Sequence, residues 1–546
     1  MAILPAADTA TFGWDILASL LWTTVAYTLL KALYNTTLHP LSPFPGPKTW
    51  AASYTPRLLA SLTGTLELRL KQLHEAYGSV VRYSPTELSF TSPAAWKDIY
   101  GFGANAPVKD PAFYGLIHLS RDRSHSVFTA GDDDHPRVRK ALSYAFSERA
   151  LREQEGVVQG YVDLLIERLR GLACSSSSSS SSAGEGECEV EGEGVAQVDL
   201  VAWYNFTTFD IIGDLAIGQS FDCLRGSRYH AWVHGFMSTI KLGAYVRAMA
   251  VCTHGSFPQV LRLLAPRRLI DARRRHLEFV GRSTEERLAR GLDYNRPDFI
   301  SYLLKGTCRS NGKDSGEHEP TPAPLSAGEV EANTNFLLLA GTETTATALS
   351  GTTYYLLKNR DALRKATAEV RAAFEREEQI SFVAAAERLP YLQACLTEGL
   401  RIYPPGPIAP PRRTRRGTVT AIAGYAVPGD VSVGVHAWSA SHSAENFHRA
   451  GEFIPERWLA VASKGEGEGE GAFSGDQVAA SQPFSFGPRN CLGKPFAWNE
   501  MRVILARVLW NFDLELAPES EGWERQKVYT LWDKGPLMVR LRLCAR

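Results

Sequence analysis

The longest apolar run in the chain lies near its N-terminus. Ile16 to Tyr34 reads ILASLLWTTVAYTLLKALY, interrupted by a few hydroxyl residues and by Lys31 near its end. As a helix this stretch reaches roughly 28 Å, about one hydrocarbon core, and Lys31 can snorkel to the interface. No Lys or Arg precedes it, whereas Lys31, Lys48 and Arg57 lie at its end or beyond. The positive-inside rule then makes 1–15 a luminal N-terminus and 16–34 a single-pass anchor in the endoplasmic reticulum membrane, with the body facing the cytosol. A cleaved signal peptide would want a basic leading region and a small-residue cleavage site, and neither is evident. His39-Pro-Leu-Ser-Pro-Phe-Pro-Gly-Pro47 follows, with four prolines in nine residues. That run of prolines forbids helix across His39–Pro47 and predicts a stiff, extended connector, within a Pro-rich hinge over 35–50.

Beyond the hinge the pattern is mostly helical. Ser326-Ala-Gly-Glu329 has the spacing of a capping box, and an apolar helix is predicted from about Ala327 to Leu357, with another starting near Asp361. Thr418 to Val435 alternates Val, Ile and Ala with polar and Gly/Pro residues, which reads as short strands and turns. Segments 175–194, 306–327 and 464–476 are rich in Ser, Gly, Glu and Pro and cannot bury apolar area. They are expected to be disordered surface insertions within one domain, 51–546. The fold class is mainly α with a small β portion.

Composition removes several alternatives. The chain has 546 residues, 44% hydrophobic, with formal net charge +0. That is ample for a large core. It argues against nucleic acid as a partner, since phosphate binding needs a basic surplus. The eight cysteines are scattered without C-x-x-C spacing, so neither a disulfide framework nor a zinc site is expected, and a reducing compartment fits. Asn35 and Asn205 head glycosylation sequons, which a cytosolic body would leave bare.

Chemistry concentrates in Phe484-Ser-Phe-Gly-Pro-Arg-Asn-Cys491-Leu-Gly493, directly before an apolar helical segment. A helix N-terminus favours a thiolate, Gly487 and Gly493 permit close backbone approaches, and Arg489 can pair with a carboxylate such as a haem propionate. Together they point to a Cys-ligated haem. The long helix carries Ala340-Gly-Thr-Glu-Thr-Thr345. Gly341 in mid-helix costs about 1 kcal/mol, which a groove for a ligand would offset. Glu343 and Thr344 set an acid and an alcohol side by side, enough for a proton relay in a dry pocket. Glu398-Gly-Leu-Arg401 pairs charges on one helix face, and Pro455-Glu-Arg-Trp458 adds Arg457. His135-Pro-Arg-Val-Arg139 sets two basic side chains on adjoining turns, where they could hold a propionate. Taken singly, each has a plainer reading: an inert buried cysteine, incidental threonines, a surface ion pair, a solvated basic face.

The pattern Phe-x-x-Gly-x-Arg-x-Cys-x-Gly, the oxygen-helix stretch, Glu-x-x-Arg and Pro-Glu-Arg-Trp stand in an order that resembles the haem-thiolate monooxygenases, the cytochrome P450 superfamily. The resemblance runs from the hinge through Leu531-Trp-Asp-Lys-Gly-Pro-Leu537. Asn446-Phe447, Phe453-Ile-Pro-Glu-Arg-Trp-Leu459 and Phe209-Asp-Ile-Ile-Gly-Asp-Leu215 look like the fungal secondary-metabolism branch. It implies a P450-like fold behind the single anchor helix, with Cys491 ligating haem iron and Phe484 and Arg489 at the haem. Proton delivery falls to Glu343 and Thr344, and a buried triad to Glu398, Arg401 and Arg457. His135, a departure from the more frequent Trp, and Arg139 and Arg412 are implied at the propionates. Arg413, Arg415 and Arg416 crowd Arg412 and leave its register open by one.

The implied reaction inserts one atom of O2 into an apolar small molecule of terpenoid or polyketide type. Electrons would come from NADPH-cytochrome P450 reductase on the same lipid membrane, docking near Arg137, Lys140 and Lys494. Phe336, Ala340 and Thr344 share the pocket stripe. A haem-thiolate isomerase would need no proton relay, and a non-catalytic haem binder would need no reductase.

Overall fold

The computed structural model describes residues 8–103, 105–115, 117–175, 195–252, 267–291, 296–309, 324–462, 471 and 473–544. Its axis is the helix Ala327–Lys358, hereafter the central helix, which opens on the expected capping box. Ser326 Oγ accepts from the Glu329 amide, and Glu329 Oε2 accepts from the Ser326 amide at 2.8 Å. The central helix is buried on nearly every side. A helix buried on nearly all sides belongs in a core, and several helices pack against this one.

Leu200–Ile217 packs along it and is itself buried throughout. Glu148–Ser175 contributes Val158, Val162, Leu165 and Leu169, an amphipathic stripe at helical spacing. Pro390–Ile402 contributes Leu392, Leu396 and Leu400. Lys494–Asn511, the helix after the cysteine loop, contributes Val503, Ile504 and Val508. All of these belong to one continuous apolar cluster.

The β portion is small and lies to one side. Its largest sheet runs in spatial order Val80–Ser84, Glu87–Phe90, Ser432–Val435, Arg412–Arg413, Val108–Lys109. The Glu87–Phe90 strand pairs parallel to Ser432–Val435, and the other neighbours are antiparallel. The register sets Lys109 directly opposite Arg412. Strands and turns occupy 419–435 as expected, as Val419–Ile422, Tyr425–Pro428 and Ser432–Val435.

The N-terminal helix runs Asp8–Thr37, and its segment Trp14–Thr37 is long and apolar enough to cross a membrane, with mean hydropathy 1.5. Leu20, Leu21, Trp22, Leu29 and Leu30 are exposed. The end of this helix is tied to the body. Asn35 Nδ2 donates to the Ala52 carbonyl at 2.9 Å, and buried Arg82 donates to the Asn35 carbonyl at 2.8 Å. The sequon amides are therefore engaged and buried: Asn35 as above, and Asn205 with Tyr229 Oη at 3.2 Å.

The hinge differs from the extended connector expected. Tight turns close from Ser42 N–H to His39 O and from Phe44 N–H to Leu41 O. Proline's fixed φ suits the second position of a turn as well as an extended chain. Leu41, fully buried, decides between them. The Arg82 amide donates to Pro45 O at 2.7 Å. Gly46 has φ +152°, and a Cβ there would lie 2.3 Å from Arg82 O.

Of the three expected insertions, 176–194, 310–323, 464–470 and 472 lie outside the described residues. Their flanks are ordered: 306–309 finish the helix Phe299–Arg309, Ala327 starts the central helix, and Asp476 is ion-paired to Arg457.

Gly341 has a different partner from the ligand groove that its sequence context suggested. A Cβ at this position would meet Ile212 Cδ1 at 2.5 Å, so the glycine admits the neighbouring Leu200–Ile217 helix. Gly341→Ala gains about 1 kcal/mol of helix propensity against an overpacking cost of about 1–3 kcal/mol. We expect a lowered thermal midpoint for Gly341→Ala, and recovery when Ile212→Val removes the opposing Cδ1.

Candidate functional site

The cysteine loop is closed by its own backbone. Cys491 N–H donates to Phe484 O at 2.8 Å, and Asn490 N–H to Gly487 O at 3.1 Å. Gly487 takes φ +75°, and a Cβ there would meet Tyr100 O at 2.0 Å. Phe484 packs against Trp498, ring centroids 5.8 Å apart, with the Lys494 ammonium 5.7 Å from its ring. Cys491 lies in the interior, yet its side chain is exposed because it faces open interior surface rather than packed atoms. The backbone N–H groups of Gly493 and Lys494 are directed at its sulfur. Burial nevertheless outweighs these donors and the charges of Arg139 and Lys494, and pushes the free thiol up from its ordinary value. The helix N-terminus expected to favour a thiolate is present but does not by itself produce one.

Around this loop the fold gathers positive charge. His135 opens the helix His135–Ser143 and is buried. Arg412 is buried with its guanidinium 5.7 Å from the Tyr100 ring, and no acid pairs with it among the described residues. Lys109, opposite it in the sheet, donates to Ala130 O at 2.7 Å. Arg489 donates to Gly131 O at 2.9 Å and to Asp132 at 2.8 Å. Arg139 donates to Asn490 O at 2.7 Å and Asn490 Oδ1 at 2.6 Å, which braces the cysteine loop from the side.

The consequence is mutual repulsion. Burial, then the charges of Arg489 and Arg412, pull Lys109 down to about 6. Burial, then Arg489, Lys109, Arg139 and Arg412, pull His135 down to about 3. Like charges directly opposite on paired strands are destabilising, so this arrangement calls for an anion. Two carboxylates in front of an exposed, inward-facing sulfur would answer it. These residues therefore fit a haem with its two propionates. Lys109 was invisible in the sequence, where Val-Lys-Asp carries no signal. Arg137 is engaged rather than free for a partner, since it pairs with Asp134 at 2.8 Å and with Glu329.

In the middle of the central helix Phe336, Leu337, Leu339, Ala340, Gly341 and Thr344 are half-buried among buried neighbours. Phe336, Ala340 and Thr344 among them share the helical stripe expected to line the pocket. Thr344 Oγ1 donates to Ala340 O at 2.5 Å. Glu343 is buried and ion-paired with Lys534, which also donates to Thr347 Oγ1. Glu343 Oε2 is buried without a hydrogen-bond partner. Lys534 stands far along the chain in a Lys-Gly-Pro loop between two strands, and nothing local distinguishes it from a solvated lysine.

Glu398, Arg401 and Arg457 are all fully buried and joined. Arg401 Nε and Nη2 each donate to Glu398 at 2.8 Å, and Arg457 Nε donates to Glu398 Oε1 at 3.1 Å. The Trp458 indole and the Ile454 amide donate to the same carboxylate, at 2.8 and 2.9 Å. Burial raises the Glu398 pKa, but hydrogen bonding from Arg401 and the charges of Arg401 and Arg457 outweigh it and hold the group below its usual value. The remaining arginine N–H groups reach the carbonyls of Ser441, Ala450, Glu452 and His448, and Asp476.

A cleft open to solvent is lined by Phe113, Arg247, Ile408, Pro411, Val435 and Thr530 among others. It is not the space before Cys491. The two are linked by the segment Ile408–Arg412 and by an aromatic run. Phe113 meets Tyr114 at 5.1 Å, Tyr114 meets Phe128 at 5.2 Å, and Phe128 stacks on Phe336 of the central helix at 5.0 Å.

A mainly helical body that turns a cysteine loop toward a cation-rich interior, under a helix bearing an acid and an alcohol, defines a haem-thiolate protein. The family model for cytochrome P450 matches residues 45–538. The chain is 41% identical over 515 residues to a trichothecene C-4 hydroxylase of Trichoderma arundinaceum, covering 94% of each chain. It is 40% identical to cytochrome P450 monooxygenase astJ of Aspergillus oryzae over 95% of each chain. It is also 40% identical to cytochrome P450 monooxygenase astA of Talaromyces wortmannii, over 96% of this chain and 97% of that one. The chain belongs to the cytochrome P450 family. It is a haem-dependent oxidoreductase of a family that holds haem through a cysteine and uses O2, a redox partner and small-molecule substrates.

Removing the carboxylate at the centre of the triad would leave two buried guanidinium groups facing one another. Glu398→Ala should cost about 3–5 kcal/mol of stability in urea denaturation of the detergent-solubilised enzyme. Arg364→Ala, at an exposed pair with Asp361, should leave the transition unchanged.

Proposed function

We propose that the chain is a membrane-anchored monooxygenase that inserts one oxygen atom into an apolar intermediate of fungal terpenoid or polyketide metabolism. The observation that carries the reading is the Cys491 sulfur, accessible although it lies in the interior, beside the basic groups Lys109, His135 and Arg412, which have no acidic ion-pair partner among the described residues and hold down one another's protonation. Cys491 would ligate the haem iron through its sulfur. Arg412, His135 and Lys109 would hold the propionates, with Arg489. Arg139 would set the cysteine loop, and Phe484 would shield the sulfur from one side. Haem, when bound, supplies the iron whose thiolate ligation favours O–O cleavage.

The chain's own residues do the rest. The Gly493 and Lys494 amides stabilise negative charge on sulfur. Glu343 and Thr344 move protons: the carboxylate keeps one oxygen free while Lys534 grips the other, and the Thr344 hydroxyl faces the pocket stripe. Phe336 and Ala340 keep that stripe apolar and exclude water. Glu398, Arg401 and Arg457 hold the body together around the loop. The relatives' names support the substrate class, since one of them hydroxylates a trichothecene. The anchor would lie in the endoplasmic reticulum membrane with residues 1–15 luminal, and residues 51–546 would form one cytosolic catalytic domain. Electrons would come from NADPH-cytochrome P450 reductase, for which Lys140 and Lys494 remain candidate contacts.

Cys491→Ser is expected to yield folded protein without the thiolate-type reduced carbon monoxide spectrum; an unaltered spectrum would transfer the ligand role elsewhere. Thr344→Ala is expected to raise peroxide release per NADPH by several-fold relative to product. Unchanged coupling would show that protons travel by another route.

A further inference from the structure

The open cleft carries one charge that the described fold leaves unanswered. Three acids line its wall, and each is paired. Glu87 is 2.5 Å from Arg57, Glu67 is 3.2 Å from His436, and Asp110 is 3.0 Å from Arg413. Arg247 also lines the cleft, from the helix Ala231–Cys252, and has no acidic partner among the described residues. Its Nη2 donates to Thr530 Oγ1, and its guanidinium lies 5.2 Å from the Phe113 ring centroid. Burial alone draws it down to about 10, with no carboxylate nearby to offset the loss of solvation. It stays protonated at neutral pH.

A half-buried guanidinium without a counter-charge is costly. Its planar fork is suited to gripping a carboxylate through two parallel hydrogen bonds. Thr530 and Phe113 hold one edge and one face of Arg247, which pre-sets the group without neutralising it. Ala244, Ala248, Val251 and Val528 supply apolar lining to the same cleft, whose acids are all paired. From Phe113 the aromatic run leads to Phe336, two helical turns before Thr344. A ligand held at Arg247 would have its apolar body against one end of this aromatic wall, whose other end is on the central helix.

We propose that Arg247 anchors a carboxylate on the substrate, so that the enzyme takes apolar small molecules bearing a carboxylic acid. The acid end is held in the open cleft, and the apolar body extends along the aromatic wall toward the central helix. This rests on the monooxygenase reading of that interior and adds the chemical class of the molecule entering it.

The test uses full-length, haem-loaded enzyme in detergent and calorimetric titration near neutral pH. The probes are abietic acid with methyl abietate, and dodecanoic acid with methyl dodecanoate. At least one acid should bind the wild type about tenfold or more tightly than its ester, the gain expected of a charge-assisted pair. Arg247→Met should abolish that preference, and Arg247→Lys should keep part of it. Equal affinity of acid and ester in both pairs, absence of binding, or a preference surviving in Arg247→Met would overturn the proposal. The reduced carbon monoxide spectrum of every sample separates two failures. A wild type without the thiolate spectrum defeats the monooxygenase site itself. A normal spectrum without acid preference defeats only the anchor.

Discussion

The constraint on which the structure turns is the burial of like charge around the cysteine loop. Lys109 and Arg412 face one another across a strand pair, and His135 and Arg489 crowd the same region. Asp132, the acid that meets Arg489, is half exposed. Protein interiors do not gather cations without an anion to balance them. The inward-facing sulfur and the depressed Lys109 and His135 are two signs of one requirement. Both point to a group bearing metal and two carboxylates.

That charge cluster needs a rigid frame, and the frame has its own polar centre. Glu398 accepts from two arginines, an indole and a backbone amide, and the arginines then fasten the loop region 441–452 and Asp476. The network is stabilising because its carboxylate is fully satisfied; a partly satisfied one would be worse than an apolar core. The apolar side of the frame is the contact between the central helix and Leu200–Ile217, made close by Gly341 opposite Ile212. Both devices fix where Thr344 and Cys491 can lie relative to each other.

Legibility along the chain followed how local each signal is. The central helix, its capping box and the strands of 419–435 were readable because periodicity and caps act within a few residues. The Glu398 and Arg401 pair was readable at helical spacing, whereas Arg457 needed the family resemblance. The hinge's prolines permit both an extended and a turned chain, and burial of Leu41, a tertiary fact, selects the turned one. A glycine in mid-helix offers room to a ligand or to a neighbouring helix, and only packing reveals that Ile212 fills the space at Gly341.

Sequence by itself determined the class of this protein: motif order, the apolar N-terminal helix, and the residue types of a haem-thiolate site. Those properties live in short segments, so residue order encodes them directly. Tertiary structure alone decided that Lys109 joins Arg412 beside the cysteine loop, that Lys534 grips Glu343, and that Arg247 stands in the cleft without an acid among the described residues. Each is a meeting of segments far apart in the chain. Charge acts through space, and folding, rather than spacing along the sequence, sets those distances.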